Sequence, residues 1–257
     1  MHLRCIQRYY ISILRRTLED DTMIGMFRKK PVLQYESAIE VYPNIITPAK
    51  NHVPEWYKKI PKWKNNEIFE VGKGFNITVK HCMPFMDSLT SGYMIVLPND
   101  LYVKNDNGIP LITWNSTDFP PIARQELASL DLVPTGHHPT EFVWQPGVSN
   151  TIPVGYSLLF THPLNRHDLP FTTLSGIVDG GLVMNPRGQI PFFIKEGFEG
   201  IIPQGTPILQ LIPYRQENWT HKKTKGLLNK SNEHNLKTSS LIYGWYKKTF
   251  WTRKKYD

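Results

Sequence analysis

The sequence predicts an all-β protein, an antiparallel β-barrel or jelly-roll-like domain, on three observations. Short apolar runs recur from Phe75 to Pro213. Turn residues such as Pro98-Asn-Asp, Asn105-Asp-Asn-Gly, Pro186-Arg-Gly and Pro203-Gln-Gly punctuate them. The 257 residues contain 21 Pro and 17 Gly, with no long amphipathic helical pattern. Hydrophobic residues make up 40% of the chain, which supplies a sizeable core and excludes wholesale disorder.

Residues 1–30 read as a basic N-terminal extension in which residues 6–18 fit a short amphipathic helix. Its arginines interrupt the apolar stretch too early for a secretion signal, and Met23 and Met26 are alternative starts. Residues 31–67 form a Pro- and Trp-rich arm expected to pack on the barrel. Within it, Pro54 suits the start of one helical turn and Pro61 its end. Residues 68–213 are the barrel domain. Its expected strands lie at 75–80, 92–97, 101–104, 110–114, 141–144, 155–161, 176–183, 190–194, 198–202 and 207–213. Residues 214–257 lose this rhythm and become a basic aromatic C-terminal arm, ending in Tyr243-Gly-Trp-Tyr-Lys-Lys-Thr-Phe-Trp-Thr-Arg-Lys-Lys-Tyr.

Charge divides the chain in the same way. The stretch 214–257 holds 11 Lys and Arg against Glu217, Glu233 and Asp257, a balance of +8 that equals the formal charge of the whole chain. Residues 1–30 carry +4, residues 31–70 balance, and residues 71–213 carry −4. Basic ends on an acidic body suit nucleic acid, an anionic surface or an acidic partner subunit. In the C-terminal arm, aromatics between cations fit stacking on bases, and they fit packing on a neighbouring subunit equally well. Two cysteines, Cys5 and Cys82, make no disulfide framework, which points to a reducing, intracellular setting. In that setting the sequons at Asn76, Asn115, Asn218 and Asn229 are chance matches. No run of 18 apolar residues occurs, so no transmembrane segment is expected.

Three constellations carry candidate chemistry. The densest is Thr161-His-Pro-Leu-Asn-Arg-His-Asp168, where His162, Asn165, Arg166, His167 and Asp168 fit binding of an anion or sugar, or internal bonding that locks the loop. In Gly136-His-His-Pro-Thr-Glu141, strand alternation puts His137 and Glu141 on one face, so a metal site needs a third ligand such as His81 or His162. Asp179 ends an apolar run before Gly180-Gly181, fitting a general base, a hydroxyl ligand or a turn cap.

Read in order, several segments resemble the dUTPase and dCTP deaminase β-barrel superfamily. Ser91-Gly-Tyr-Met-Ile95 resembles its opening motif, and Leu132-Val-Pro-Thr-Gly136 the turn before its central strands. Pro153 to Pro163 resembles the strand entering its Pro-Arg-Ser motif. Gly176-Ile-Val-Asp179 resembles the motif that holds deoxyribose and the attacking water, and Arg187 to Phe193 with Ile202 to Leu211 the last strands. The resemblance implies a trimer and puts Asp179 and Gln210 at matching site positions. The departures also fall in the site: Met94 replaces an acid, Leu164-Asn165 replaces the phosphate-gripping Arg-Ser pair, and no Gly-rich arm follows. The stretch from Tyr42 to Tyr214 more closely resembles an uncharacterised family of marine tailed phages and bacteria. It does so through Cys82-Met-Pro-Phe-Met-Asp-Ser-Leu-Thr-Ser-Gly-Tyr93, His162-Pro-Leu-Asn-Arg166 and Gly205-Thr-Pro-Ile-Leu-Gln-Leu-Ile-Pro-Tyr214.

These readings lead to three expectations. The first is a phage-type, dUTPase-like barrel with a divergent pocket for a small anionic or nucleotide-like ligand, lined by His162, Asn165, Arg166, Asp168, Asp179 and Gln210. The second is a virion or assembly protein, a homo-oligomer whose arms grip neighbours. The third is a hydrolase, either with Asp179 orienting water beside a divalent metal or with His137, Glu141 and His162 holding one. Host cytoplasm or the virion is the expected location.

Overall fold

The computed structural model describes residues 30–40, 42–70, 74–116, 118–124, 133–236 and 244–257. Cys5, the helix expected at 6–18, nearly all of the N-terminal extension and Leu132 lie outside the described residues. Residues 33–257 form one compact unit.

Strands dominate and every pairing between them is antiparallel, so the all-β expectation holds. In chain order they are β1 (Gln34–Ser37), β2 (Ile46–Pro48), β3 (Phe69–Glu70), β4 (Gly74–Phe75), β5 (Tyr93–Val96), β6 (Leu101–Asp106), β7 (Ile109–Trp114) and β8 (Ile122–Arg124). Then follow β9 (His137–Trp144), β10 (Val148–Thr151), β11 (Tyr156–Thr161), β12 (Phe171–Thr173), β13 (Gly176–Asp179), β14 (Ile190–Lys195), β15 (Gly200–Ile202) and β16 (Pro207–Arg215). A five-stranded sheet has the order β13-β11-β16-β5-β2, a four-stranded sheet β12-β14-β9-β8 and a three-stranded sheet β15-β6-β7; β1 pairs β10 and β3 pairs β4. The expected closed barrel is not found among the described residues, because each sheet ends in edge strands, β13 and β2 in the largest.

One hydrophobic core joins the inner faces of the three larger sheets. Leu158, Phe160, Leu209, Leu211 and Ile95 enter it from the five-stranded sheet, Phe142, Trp144, Phe171, Phe192 and Ile194 from the four-stranded one, and Leu101, Val103 and Ile202 from the three-stranded one. Trp144 stacks on Phe192 with ring centroids 3.5 Å apart. Its indole N–H is satisfied by Thr173 Oγ1 at 3.0 Å, and that hydroxyl donates to the Ile208 carbonyl at 2.8 Å. A polar tip is thus buried without an orphaned donor. Gly92 opens β5 at φ +75°, where a Cβ would lie 1.9 Å from the Leu211 carbonyl oxygen. The Ser-Gly-Tyr sequence therefore lets β5 lie against β16.

Four short helices are described: α1 (Glu55–Lys59), α2 (Met83–Thr90), α3 (Leu227–Leu236) and α4 (Trp245–Thr249). The prolines at 54 and 61 bracket α1 as expected. Its Tyr57 is buried and stacks on Phe85 of α2 at 5.8 Å, and Trp56 meets the same ring edge-on. Where a strand was expected at 75–80, the chain makes the short β4, a bridge at Ile77 and a 3-10 turn over Val79–His81 capped by Thr78. No helix among the described residues is long and apolar enough to cross a membrane.

Candidate functional site

The loop after β11 uses its polar residues to fasten itself to the scaffold. Asn165 turns the chain in the left-handed region at φ +60° and donates from Nδ2 to Ser88 Oγ of α2 at 2.6 Å. Arg166 lays a fork on Asp168, with Nε 2.9 Å from Oδ1 and Nη2 2.9 Å from Oδ2. Its Nη1 reaches the His52 carbonyl at 3.5 Å. Trp56 Nε1 donates to the same carboxylate at 3.2 Å. Burial raises the Asp168 pKa, but the hydrogen bonds and charge of Arg166, helped by Trp56, hold it below its ordinary value.

His162 is also committed. Its Nδ1 accepts the Thr173 backbone N–H at 3.3 Å, which leaves Nε2–H to donate to the Arg166 carbonyl at 3.1 Å. Burial lowers its pKa, favouring that neutral ring. Gln210 on β16 is fully buried. Its Oε1 accepts Leu164 N–H at 2.8 Å and its Nε2 donates to the Ser88 and Ser91 carbonyls at 3.0 and 2.7 Å. His162, Asn165, Arg166, Asp168 and Gln210 therefore form one network that clamps loop, α2 and β16 together.

Asp179 stands apart from that network. It pairs across β13 and β11 with Ser157, whereas the 162–168 loop leaves β11 after Thr161. Four strand residues, about 13 Å, separate the two ends. The pocket expected to combine Asp179 with His162, Asn165 and Arg166 is not gathered.

Asp179 has its own surroundings. Its Oδ1 accepts from Ser157 Oγ at 2.8 Å and Gln216 Nε2 at 2.9 Å. Tyr214 is the next residue in the same cross-strand row, and Ile177 precedes Asp179 on the same face. Tyr214, Ile177, Val154, Leu182 and Val183 are all exposed in this region of the fold. Gly180 follows the carboxylate because a Cβ there would lie 2.1 Å from the Pro153 carbonyl oxygen. Its N–H instead closes on Tyr156 O at 2.8 Å.

The proposed metal ligands are not brought together. His137 and Glu141 share a face of β9, but both ring nitrogens of His162 are already bonded. Among the described residues no group of three or more His, Cys, Asp or Glu side chains is placed to hold a metal. Glu141 is fully buried, and among the described residues neither carboxylate oxygen has a hydrogen-bond partner; His137 Nε2 likewise has none among them. Burial pushes the Glu141 carboxyl up, against a weaker opposing pull from Arg124. Cys82 is a free, exposed thiol.

Sequence reasoning missed a second polar centre, on α2. Asp87 accepts from Trp251 Nε1 at 3.0 Å and from Lys254 Nζ at 2.6 Å. Lys50 pairs with Asp257 at 3.1 Å, and Tyr256 meets Tyr93 edge-on. The end of the described chain thus folds back on α2 and encloses a recess of about 440 Å³. Its cations and aromatics were legible as a composition, but Asp87, their anchor 164 residues before Trp251, carried no local signal. By contrast, residues 214–236 are exposed throughout. Comparison of the chain with models of known protein families and with curated proteins yields no match.

Proposed function

We propose that this chain is a phage-type, dUTPase-like β protein that binds a small nucleotide-like ligand at the exposed end of β13, with Asp179 receiving a ligand hydroxyl. The observation that carries the reading is the state of the Asp179 carboxylate. Ser157 and Gln216 fix Oδ1, while the residue stays exposed beside Tyr214 and Ile177. A carboxylate held in one orientation accepts a hydrogen bond from a hydroxyl, and the aromatic and aliphatic surface suits the C–H face of a sugar or a base. The 162–168 network then serves to hold α2 and the sheet, not to contact ligand. The fitting location is the host cytoplasm.

The test is a thermal-shift and calorimetric titration of the full chain with deoxynucleotides, with Asp179→Asn in parallel. The reading expects binding in the parent chain and at least a tenfold weaker affinity in the variant. Equal binding by both sinks the assignment of Asp179.

A second reading, a virion or assembly role, is supported by the arm at 214–236. Helix α3 has ten residues and buries none of them, and Trp219 and Leu228 are 86% and 81% exposed. A helix this short draws little stability from itself and needs a surface to pack on. The unpaired outer side of β13 and the apolar residues around it offer such a surface on another copy. Light scattering separates the readings: a stable oligomer with no nucleotide response favours assembly, and a monomer that binds nucleotide favours the first.

A further inference from the structure

We propose that the recess between residues 251–257 and helix α2 is a binding site for a small polyvalent phosphate anion of the pyrophosphate class. It is distinct from the Asp179 face, since the two lie toward opposite edges of the five-stranded sheet, β13 at one edge and β5-β2 at the other. Four strand spacings, roughly 19 Å, separate those edges.

The recess is built from a helix wall and a tail wall. Met86, Asp87 and Thr90 of α2 form one side with Lys50, and Trp251 and Arg253 to Asp257 form the other. Four cationic residues, Lys50, Arg253, Lys254 and Lys255, line it against Asp87 and Asp257. Both carboxylates are already neutralised within the fold: Asp87 by Lys254 and the Trp251 indole N–H, Asp257 by Lys50. Arg253 and Lys255 are left over, exposed and with no side-chain partner among the described residues. The net excess of positive charge is thus held by side chains free to turn onto a ligand.

Several features select phosphate. The Arg253 guanidinium presents a planar fork of donors matched to phosphate oxygens, and Lys255 adds a point charge for a second phosphate group. The recess volume of about 440 Å³ lies in the range of small-ligand pockets and exceeds the needs of a monovalent ion. The site is assembled before any anion arrives. The Trp251–Asp87 and Lys254–Asp87 bonds hold the tail, and Tyr256 is braced edge-on by Tyr93 with ring centroids 5.8 Å apart. The tail itself then needs little ordering on binding, and only the Arg253 and Lys255 side chains remain to be fixed.

The experiment is a calorimetric and thermal-shift titration of the full chain with sodium pyrophosphate at fixed ionic strength, alongside sodium sulfate, Arg253→Ala/Lys255→Ala and Asp179→Asn. Saturation at a hundred times Kd is expected to raise Tm by roughly 5–10 °C. The double variant should keep the ligand-free Tm of the parent, because both side chains are exposed, and bind pyrophosphate at least tenfold more weakly. Asp179→Asn should bind it as the parent does, which separates this site from the nucleotide-like reading. Trp251 fluorescence should change along the same isotherm. The proposal is overturned by no response to millimolar pyrophosphate, by an equal response to sulfate, or by an unchanged affinity in the double variant. It is also overturned by a single-stranded oligonucleotide that binds these residues and that pyrophosphate does not displace.

Discussion

Replacing Gln210 with Ala tests whether the 162–168 network is a fastener or a ligand contact. Gln210 is fully buried and makes three hydrogen bonds, to Leu164 N–H and to the Ser88 and Ser91 carbonyls. A net value of about 0.5–1.5 kcal/mol for each such bond gives a loss of about 1.5–4.5 kcal/mol. Water that enters the vacated space moves the result toward the lower figure, and unpaired buried groups move it toward the upper one. For a domain of this size the central value of about 3 kcal/mol lowers Tm by roughly 6–12 °C. Urea denaturation supplies the free energy, and an unchanged slope shows that the same surface unfolds. Gln210→Glu should lose at least as much at neutral pH, because a carboxylate would then face two carbonyl oxygens. Part of that loss should return as acid protonates it. A Gln210→Ala loss below about 1 kcal/mol, together with a lost nucleotide response, would refute the fastener and make Gln210 a ligand contact.

Two further predictions concern pH. The Glu141 carboxyl has its pKa raised by burial, so the native state binds a proton more tightly than the unfolded chain. Its contribution is therefore lost as pH climbs from the ordinary carboxyl value through the raised one. Glu141→Gln should raise Tm at pH 7–8 and flatten that slope in a Tm-against-pH series; an unchanged series contradicts a buried, unpartnered carboxyl. His162 and His52 both have pKa values lowered by burial, His52 also by the nearby Arg166 charge. Their neutral forms stabilise the fold, and that stability falls as pH drops below the ordinary histidine value near 6.5. Imidazole NMR should show His162 titrating below the ordinary histidine value, with a single tautomer in its neutral form, and a normal titration midpoint would count against its burial and its two hydrogen bonds.

The sequence was most informative where one local rule governs. The apolar run Tyr156-Ser-Leu-Leu-Phe160 marked β11, and prolines 54 and 61 marked α1. It was less informative where neighbours decide. Phe171–Thr173 and Ile122–Arg124 are too short to signal as strands, yet they complete a sheet through β14 and β9. Met83–Thr90 opens Met-Pro-Phe, which suits a helical start, but its eight residues give too short a period to read. The candidate site was partly legible for a related reason. Residue type marks Arg166, Asp168 and His162 as polar and clustered, but only the fold shows that they satisfy one another. Asp179 was found from its place before a glycine pair, while its partners, Ser157 on β11 and Gln216 just after β16, come from elsewhere in the chain and were not.

The most direct test of the account is calorimetric titration of the full chain with a deoxynucleoside triphosphate, run on the parent, Asp179→Asn and Arg166→Ala. The account predicts binding by the parent and by Arg166→Ala, whose side chain serves Asp168 and His52, and at least tenfold weaker binding by Asp179→Asn. Binding that survives in Asp179→Asn but disappears in a folded Arg166→Ala would contradict it and return the site to the 162–168 loop.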